Sequence, residues 1–248
     1  MTAPAVVILA AGQGKRMLSD LPKVLHPFAG STIVDFVLDE VGSLKPAHTL
    51  VVIGHQAERV RAALDGRPVR YALQAQQLGT GHAVQQCADE LAGFVGTVLV
   101  LVGDVPLLRA STLSNMLRLH SESGCACTVL TAEFPDPTGY GRIVRAADGS
   151  LEAIVEHKDA TVAQRQIREI NSGILAFEST DLWDFISRLS RGNSQSEYYL
   201  TDLVGLLRAA GRKVCAYCVD DPWEVTGINS PEQLEHLERI FRERGGRR

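Results

Sequence analysis

The chain has 248 residues, 45% hydrophobic and 22% charged, with 25 basic against 29 acidic side chains and a formal net charge of −4. This is globular composition, which excludes a disordered, collagen-like or disulfide-scaffold chain, and the mild acidity disfavours a dedicated nucleic-acid or anionic-membrane binder. No apolar run approaches the ~20 residues that span a bilayer, and Met1–Pro4 with Ala5–Leu9 is too short and uncharged for a signal peptide, so a soluble, cytoplasmic protein is expected.

Through the first hundred residues strand and helix patterns alternate. Ala5–Leu9, Thr49–Ile53, Val69–Leu73 and Thr97–Val102 are short apolar runs of the kind buried on both faces of a mostly parallel sheet. Between them, Ile33, Val34, Val37, Leu38 and Val41 recur at helical spacing, and Ala57–Leu64 and His82–Leu91 read as further helices. After Asp104 the order is helix Ser111–Glu122, strand Ala126–Phe134, and a loop dense in turn residues at Pro135–Gly141. Gly141–Arg145 and Leu151–Glu156 form a hairpin through Asp148-Gly149. Strand Glu169–Phe177, helices Asp181–Leu189 and Tyr199–Ala210, strand Lys213–Val219 and a polar helix Pro231–Arg244 follow, with Gly245–Arg248 frayed. The expected architecture is α/β: a Rossmann-like, doubly wound, mostly parallel sheet, with the hairpin and its insertions shaping a second pocket.

The five cysteines show no disulfide framework. Cys215 and Cys218 have zinc-like spacing but lack partner ligands and would face opposite sides of a strand, so all five are expected as thiols.

Leu9-Ala10-Ala11-Gly12-Gln13-Gly14-Lys15-Arg16-Met17 follows the first strand. It is not a P-loop, because Leu9 and Arg16 stand where Gly and Ser/Thr are needed, and it lacks the third Gly of a dinucleotide fingerprint. It is a small-residue loop exposing backbone N–H groups, with Lys15, Arg16 and Lys23 as cations. Such a loop suits phosphate or a base, and equally a plain turn beside a solvated basic face.

Leu9–Met17, continued by Ser19-Asp-Leu-Pro-Lys23-Val-Leu-His26, resembles the signature of the sugar-1-phosphate nucleotidylyltransferases. More narrowly it is similar to the N-terminal half of the bifunctional bacterial enzymes that make UDP-N-acetylglucosamine. Further segments match in order: Gln74–Ala83 (QAQQLGTGHA), Gly103–Leu107 (GDVPL), Asp136–Ile143 (DPTGYGRI), Val155–Ala160 (VEHKDA), Glu169–Ile174 (EINSGI), Glu197–Asp202 (EYYLTD) and Glu224–Asn229 (EVTGIN). The resemblance implies a nucleotidyltransferase domain over residues 1–230 with a hairpin sugar-binding lobe, then a C-terminal helix and tail over 231–248. It implies a uridylyltransferase that joins UTP and N-acetylglucosamine 1-phosphate, releases pyrophosphate and uses Mg²⁺. Three departures accompany it: Lys15 stands where the family usually has Thr, Val102 replaces a Tyr seen in some members, and no segment corresponds to the left-handed β-helix that carries acetyltransferase activity. No acetyltransferase activity is therefore expected, and oligomeric state is not legible.

A phosphate monoester is already an anionic nucleophile, so positioning and charge neutralisation carry such a reaction. Arg16 and Lys23 are the candidate catalytic cations, for the triphosphate and the incoming phosphate. Asp104, just past a strand, is the candidate Mg²⁺ ligand, and the resemblance adds Asn229. Leu9, Ala10, Ala11, Gly12, Lys23, Gln74, Gly79, Thr80, Gly81, Gly103 and Asp104 are the candidate nucleotide residues. Gln74 offers an amide to uracil, although an amide can also flip to suit cytosine. Gly141, Glu156, Asn171, Tyr198 and Thr201 are carried over as the sugar pocket, with Tyr198 against the acetamido group. Two other readings share these residues: a uridylyltransferase for another hexose 1-phosphate, and a nucleotide-sugar-binding regulator without turnover.

Overall fold

The computed structural model describes residues 2–246. Strands β1 (Ala5–Leu9), β2 (Pro27–Phe28) and β3 (Ser31–Thr32) precede helix α1 (Ile33–Ser43). Then come β4 (His48–Ile53), α2 (Ala57–Ala63), β5 (Arg70–Leu73), α3 (Thr80–Gln85), β6 (Thr97–Val102), α4 (Ala110–Ser123) and β7 (Cys127–Glu133). The hairpin β8 (Gly141–Arg145) and β9 (Leu151–Val155) leads through α5 (Val162–Arg165) to the long strand β10 (Glu169–Glu178). Helices α6 (Ser179–Ile186) and α7 (Asp202–Ala209), strand β11 (Val214–Val219) and α8 (Pro231–Glu243) complete the chain.

The main row of strands runs β11-β7-β10-β6-β1-β4-β5. Within it β10 alone runs antiparallel to its neighbours, and β8 continues from its far end to β9. Helices cover both faces, which is why β1, β4 and β6 are apolar at nearly every position. Val6, Ile8, Val51 and Leu101 pack against α1, α2 and α4, while Val7, Leu50, Val52 and Val100 pack against α3, α6 and α7. Beyond β1 the chain steps outward to β4 and β5, then returns to β6 on the other side. That reversal opens a crevice at the carboxyl ends of β1 and β6, the place where open α/β sheets bind ligands.

Thr32 and Asp35 form a reciprocal capping box that starts α1, and Ser230 caps α8 just before Pro231. A separate apolar cluster (Met17, Phe28, Ile33, Leu107, Ile228, Leu237, Phe241) seats α8 against the segment that follows β1. Phe28, Phe36 and Phe241 meet edge to face at 5.1–5.6 Å, so the last helix is fastened to the first loop.

Several expectations change. The helix expected over 82–91 begins at Thr80 and is α-helical only to Gln85, followed by turns. Gly245 and Gly246, expected to fray, end α8 in a Schellman motif, with their N–H groups donating to Arg242 and Phe241 carbonyls at 3.1 and 3.0 Å; Arg247 and Arg248 lie outside the described residues. The cysteines are not all thiols. Cys125 and Cys215 are joined as a disulfide, their Cα atoms 6.2 Å apart. Ninety positions separate the two, and the parallel pairing of β11 with β7, which sets Val214 beside Cys127, is what brings them together.

Candidate functional site

Leu9, Ala10, Ala11, Gly12, Lys23, Gln74, Gly79, Thr80 and Asp104 line one cleft of about 250 Å³ at the carboxyl edge of the sheet. Backbone bonds extend the strands into its floor: Ala10 N–H donates to Val52 at 2.9 Å, Gly103 N–H to Leu9 at 3.0 Å and Gln74 N–H to Ile53 at 2.8 Å. These bonds hold the loops after β1, β5 and β6 against one another. Gln77, Ala83, Val24, Val102 and Glu197 complete the lining.

At one side of this cleft, three distant side chains meet. Lys23 Nζ is paired with Asp104 Oδ2 and donates to Asn229 Oδ1 at 3.2 Å, partners 81 and 206 positions away in sequence. Lys23 and Asp104 are both largely enclosed, at 18% and 14% side-chain exposure. Ile228 N–H donates to the Asp104 carbonyl at 2.9 Å, which fixes the Asn229 loop beside the end of β6. A carboxylate and an amide oxygen thus converge on one point, and a cation stands there. Two hard oxygen donors of this kind fit Mg²⁺, which takes one or two protein oxygens and completes its shell with phosphate and water. Among the described residues no cluster of three or more His, Cys, Asp or Glu side chains offers an all-protein cage.

A second cleft of about 210 Å³ adjoins the first and shares Leu9, Thr80 and Val102 with it. Gly141, Glu156, Asn171 and Thr201 lie here, with Tyr140, Ser172 and Gly173. Strand β10 breaks register with β7 between Asn171 and Leu175. Ser172 Oγ donates to Leu130 O at 2.6 Å and Asn171 Oδ1 accepts from Gly173 N–H at 3.0 Å, so the irregularity is internally bonded and presents Asn171 to the cleft. Glu156 Oε1 accepts from the Thr201 hydroxyl at 3.2 Å. Burial pushes the Glu156 carboxyl above the usual carboxylate range; the Thr201 bond only partly offsets this, and Asp202, Asp159 and Glu197 add to it. Tyr140 reaches from this cleft towards the first, its phenol oxygen against the Gly227 backbone amide and near Asp104 and Arg16. Gly227 is packed so closely that an added Cβ would meet Asp104 Oδ2 at 3.3 Å.

The remaining candidates lie beside the clefts rather than in their walls. Arg16 is exposed, in the short 3-10 turn Lys15–Met17. Gly103 is packed under Leu9 and Val24. Tyr198, read as a sugar contact, is bonded through its backbone to Leu78 and Gly81 at 2.8 Å each, and its ring lies over His82. Its segment presses on Gly79, where a Cβ would meet Tyr198 O at 2.6 Å, and on Gly81, where a Cβ would meet Tyr198 O at 3.0 Å and the Leu189 side chain at 2.4 Å. Gln77, Ala83, Tyr140, Ser172, Gly173 and Glu197 were not singled out from sequence. All six lie inside segments that carried the resemblance, which was the available signal.

Comparison with known proteins gives the family. Residues 6–173 match the MobA-like NTP transferase domain. The chain belongs to this family. Among curated relatives of this NTP transferase domain, the bifunctional protein GlmU of Brevibacillus brevis is 51% identical over 96% of the chain and 51% of its own length. Those of Paraburkholderia phymatum (51% identity, 95% of this chain, 51% of the relative) and Streptococcus suis (44%, 96% and 52%) are similar. The chain spans about half the length of the curated relatives it matches. The crystal structure of UDP-glucose pyrophosphorylase complexed with UDP-glucose superposes with a TM-score of 0.78 over 98% of this chain and 100% of that chain, at 17% identity, showing the same fold.

Gly79 has φ 109°, a conformation L side chains rarely adopt, and faces backbone atoms of Tyr198 that cannot swing aside. Gly211 has φ 74° with open space around it. In urea melts Gly79→Ala should therefore cost more than Gly211→Ala, about 2–4 against about 1 kcal/mol. Equal losses would mean the Tyr198 contact yields easily.

Proposed function

We propose that this chain is a uridylyltransferase that joins UTP and N-acetylglucosamine 1-phosphate to give UDP-N-acetylglucosamine and pyrophosphate. The observation that carries this reading is a pair of clefts with a common wall of Leu9, Thr80 and Val102, beside which Lys23, Asp104 and Asn229 converge. The near-complete coverage of this chain by GlmU relatives supports the choice of nucleotide and sugar. On this reading the first cleft holds UTP and the second holds the sugar phosphate. The work is done in the cytoplasm, and no helix among the described residues is long and apolar enough to cross a membrane.

The Leu9–Gly12 backbone and Gln74 seat the base and ribose, together with Thr80 and Gly81. Arg16 and Lys23 neutralise phosphate charge, so that an anionic nucleophile can approach an anionic triphosphate in line with the leaving pyrophosphate. Asp104 and Asn229 are the residues that would hold Mg²⁺, which when bound spreads the charge of the phosphates. Glu156, Asn171 and Thr201 orient the sugar hydroxyls, and Gly141 leaves room beside Glu156, where an added Cβ would sit 3.3 Å from its carboxylate. No general base is needed, since the attacking phosphate is already ionised.

With UTP and Mg²⁺, N-acetylglucosamine 1-phosphate should exceed glucose 1-phosphate in kcat/KM, read as pyrophosphate release. Equal or reversed preference would remove the sugar assignment, and absence of release with every sugar phosphate would remove the enzyme.

Asp104→Asn keeps the shape but not the charge and should lower kcat by about 10²–10³, with Asn229→Ala milder. If both act through one ion, the double variant falls short of the product of the single effects across a Mg²⁺ titration. Independent losses with unchanged metal dependence would separate the two residues.

Glu156 accepts from sugar hydroxyls most strongly when ionised, and its pKa is raised by burial. As pH falls, kcat/KM for the sugar phosphate should therefore decline at a higher pH than an ordinary carboxylate would give. Glu156→Gln should flatten that limb. It should not lower the melting temperature at neutral pH, because a carboxyl with a raised folded pKa opposes folding when charged. An unchanged acid limb in the variant would assign the titration elsewhere.

A further inference from the structure

Gln74 is 3% exposed yet lines the nucleotide cleft. Its side-chain nitrogen lies 3.0 Å from the Gly79 carbonyl and 3.1 Å from His82 Nδ1. A carbonyl only accepts, so the amide edge facing Gly79 must be the NH₂ group. The second N–H then points at His82 Nδ1, which accepts when the imidazole carries its proton on Nε2. Both amide protons are spent inside the protein. Gln74 Oε1 has no partner among the described residues and is not sealed in the interior.

We infer that His82, with the Gly79 carbonyl, holds the Gln74 amide in one orientation that presents only an acceptor to the base and so selects UTP over CTP. The inference rests on the reading of the first cleft as the UTP site. Uracil offers N3–H, a donor that meets Oε1. Cytosine offers a lone pair at N3, which Oε1 repels. Turning the amide over to serve cytosine would break both internal bonds and set Oε1 against the Gly79 oxygen. A freely rotating amide could serve either base; an anchored one discriminates.

The anchor is itself held. His82 is on the first turn of α3, with its ring over Tyr198 at 6.3 Å between centroids and 28° between planes. Gly81 N–H donates to the Tyr198 carbonyl at 2.8 Å, and Tyr198 N–H donates to the Leu78 carbonyl at 2.8 Å. The loop that carries Gly79 and the turn that carries His82 therefore share one support. His82 acts through Gln74 and is a positioning residue.

The test measures kcat/KM for UTP and CTP with N-acetylglucosamine 1-phosphate, and equilibrium binding of both nucleotides, in the wild type, His82→Phe and His82→Gln. The wild type should favour UTP. His82→Phe keeps a ring beside Tyr198 but removes the acceptor, and should lower the UTP:CTP ratio about tenfold, through a higher KM for UTP with kcat little changed. His82→Gln supplies an amide oxygen as acceptor and should retain most of the ratio. If His82→Phe does not fold, His82→Ala carries the same expectation. A folded variant lacking the acceptor with the wild-type ratio overturns the role of His82 while leaving UTP use intact. A wild type that neither turns over nor binds UTP overturns the proposed function, and this inference with it.

Discussion

Lys23 stands between the Asp104 carboxylate and the Asn229 amide oxygen, and this meeting draws together the first loop, the end of β6 and the loop before α8. An enclosed carboxylate without a cation would carry a heavy desolvation penalty, and so would an enclosed ammonium without an anion. Each makes the other tolerable. The pair is also poised at the wall of a cleft, so a ligand that brings its own charges enters a place where opposite charges are already balanced. Much of the fold can be seen as the means of delivering three side chains to that point. The parallel core places Asp104 at a strand end, the small-residue loop lets Lys23 reach it, and the aromatic cluster carries Asn229 back from the far end of the chain.

The aromatic cluster is therefore more than packing at the periphery. Met17 and Phe28 flank the segment that supplies Lys23, Leu107 follows Asp104, and Ile228 precedes Asn229. The same cluster that seats α8 locks together the three segments that converge at the cleft. The second cleft is tied to the first by different means. Tyr140 touches Gly227, and the long strand β10 pairs with β6 at one end and with the hairpin at the other.

The sequence made the central sheet legible because its strands are buried on both faces, and continuous apolar runs such as Ala5–Leu9 and Thr97–Val102 have no other ready explanation. Leu9–Gly12 and Asp104 follow strands and could be placed at the carboxyl edge from the pattern, whereas Gln74 and Gly79 were grouped with them through the segment that carried the resemblance. What periodicity does not show is non-local. The bulge in β10 depends on Ser172 finding the Leu130 carbonyl across the sheet. Tyr198 was carried over as a sugar contact with its segment, and nothing local foretold its backbone bonds to Leu78 and Gly81 or the placing of its ring over His82. The pairing of Cys125 with Cys215 arises only once β11 lies beside β7. Arg16 was grouped by motif with Lys23, but one is exposed and the other enclosed, a difference set by where the loop turns.

That disulfide gives the outer strand a direction. β11 is the last strand of the row and is hydrogen-bonded on one side only, to β7. An edge of this kind can peel away and offer its backbone to another chain. With Cys215, its second residue, tied to the turn that ends α4, the beginning of β11 cannot lift while the sulfurs are joined. Peeling can then start only from Val219, and it must work backwards along the strand against a covalent stop. The bond closes a long stretch of chain and acts on the unfolded ensemble as well. Reduction would leave every contact of the cleft in place while freeing this border strand to open from both ends, so the protein's resistance to strand exchange would follow the thiol–disulfide balance of its surroundings even where its chemistry did not.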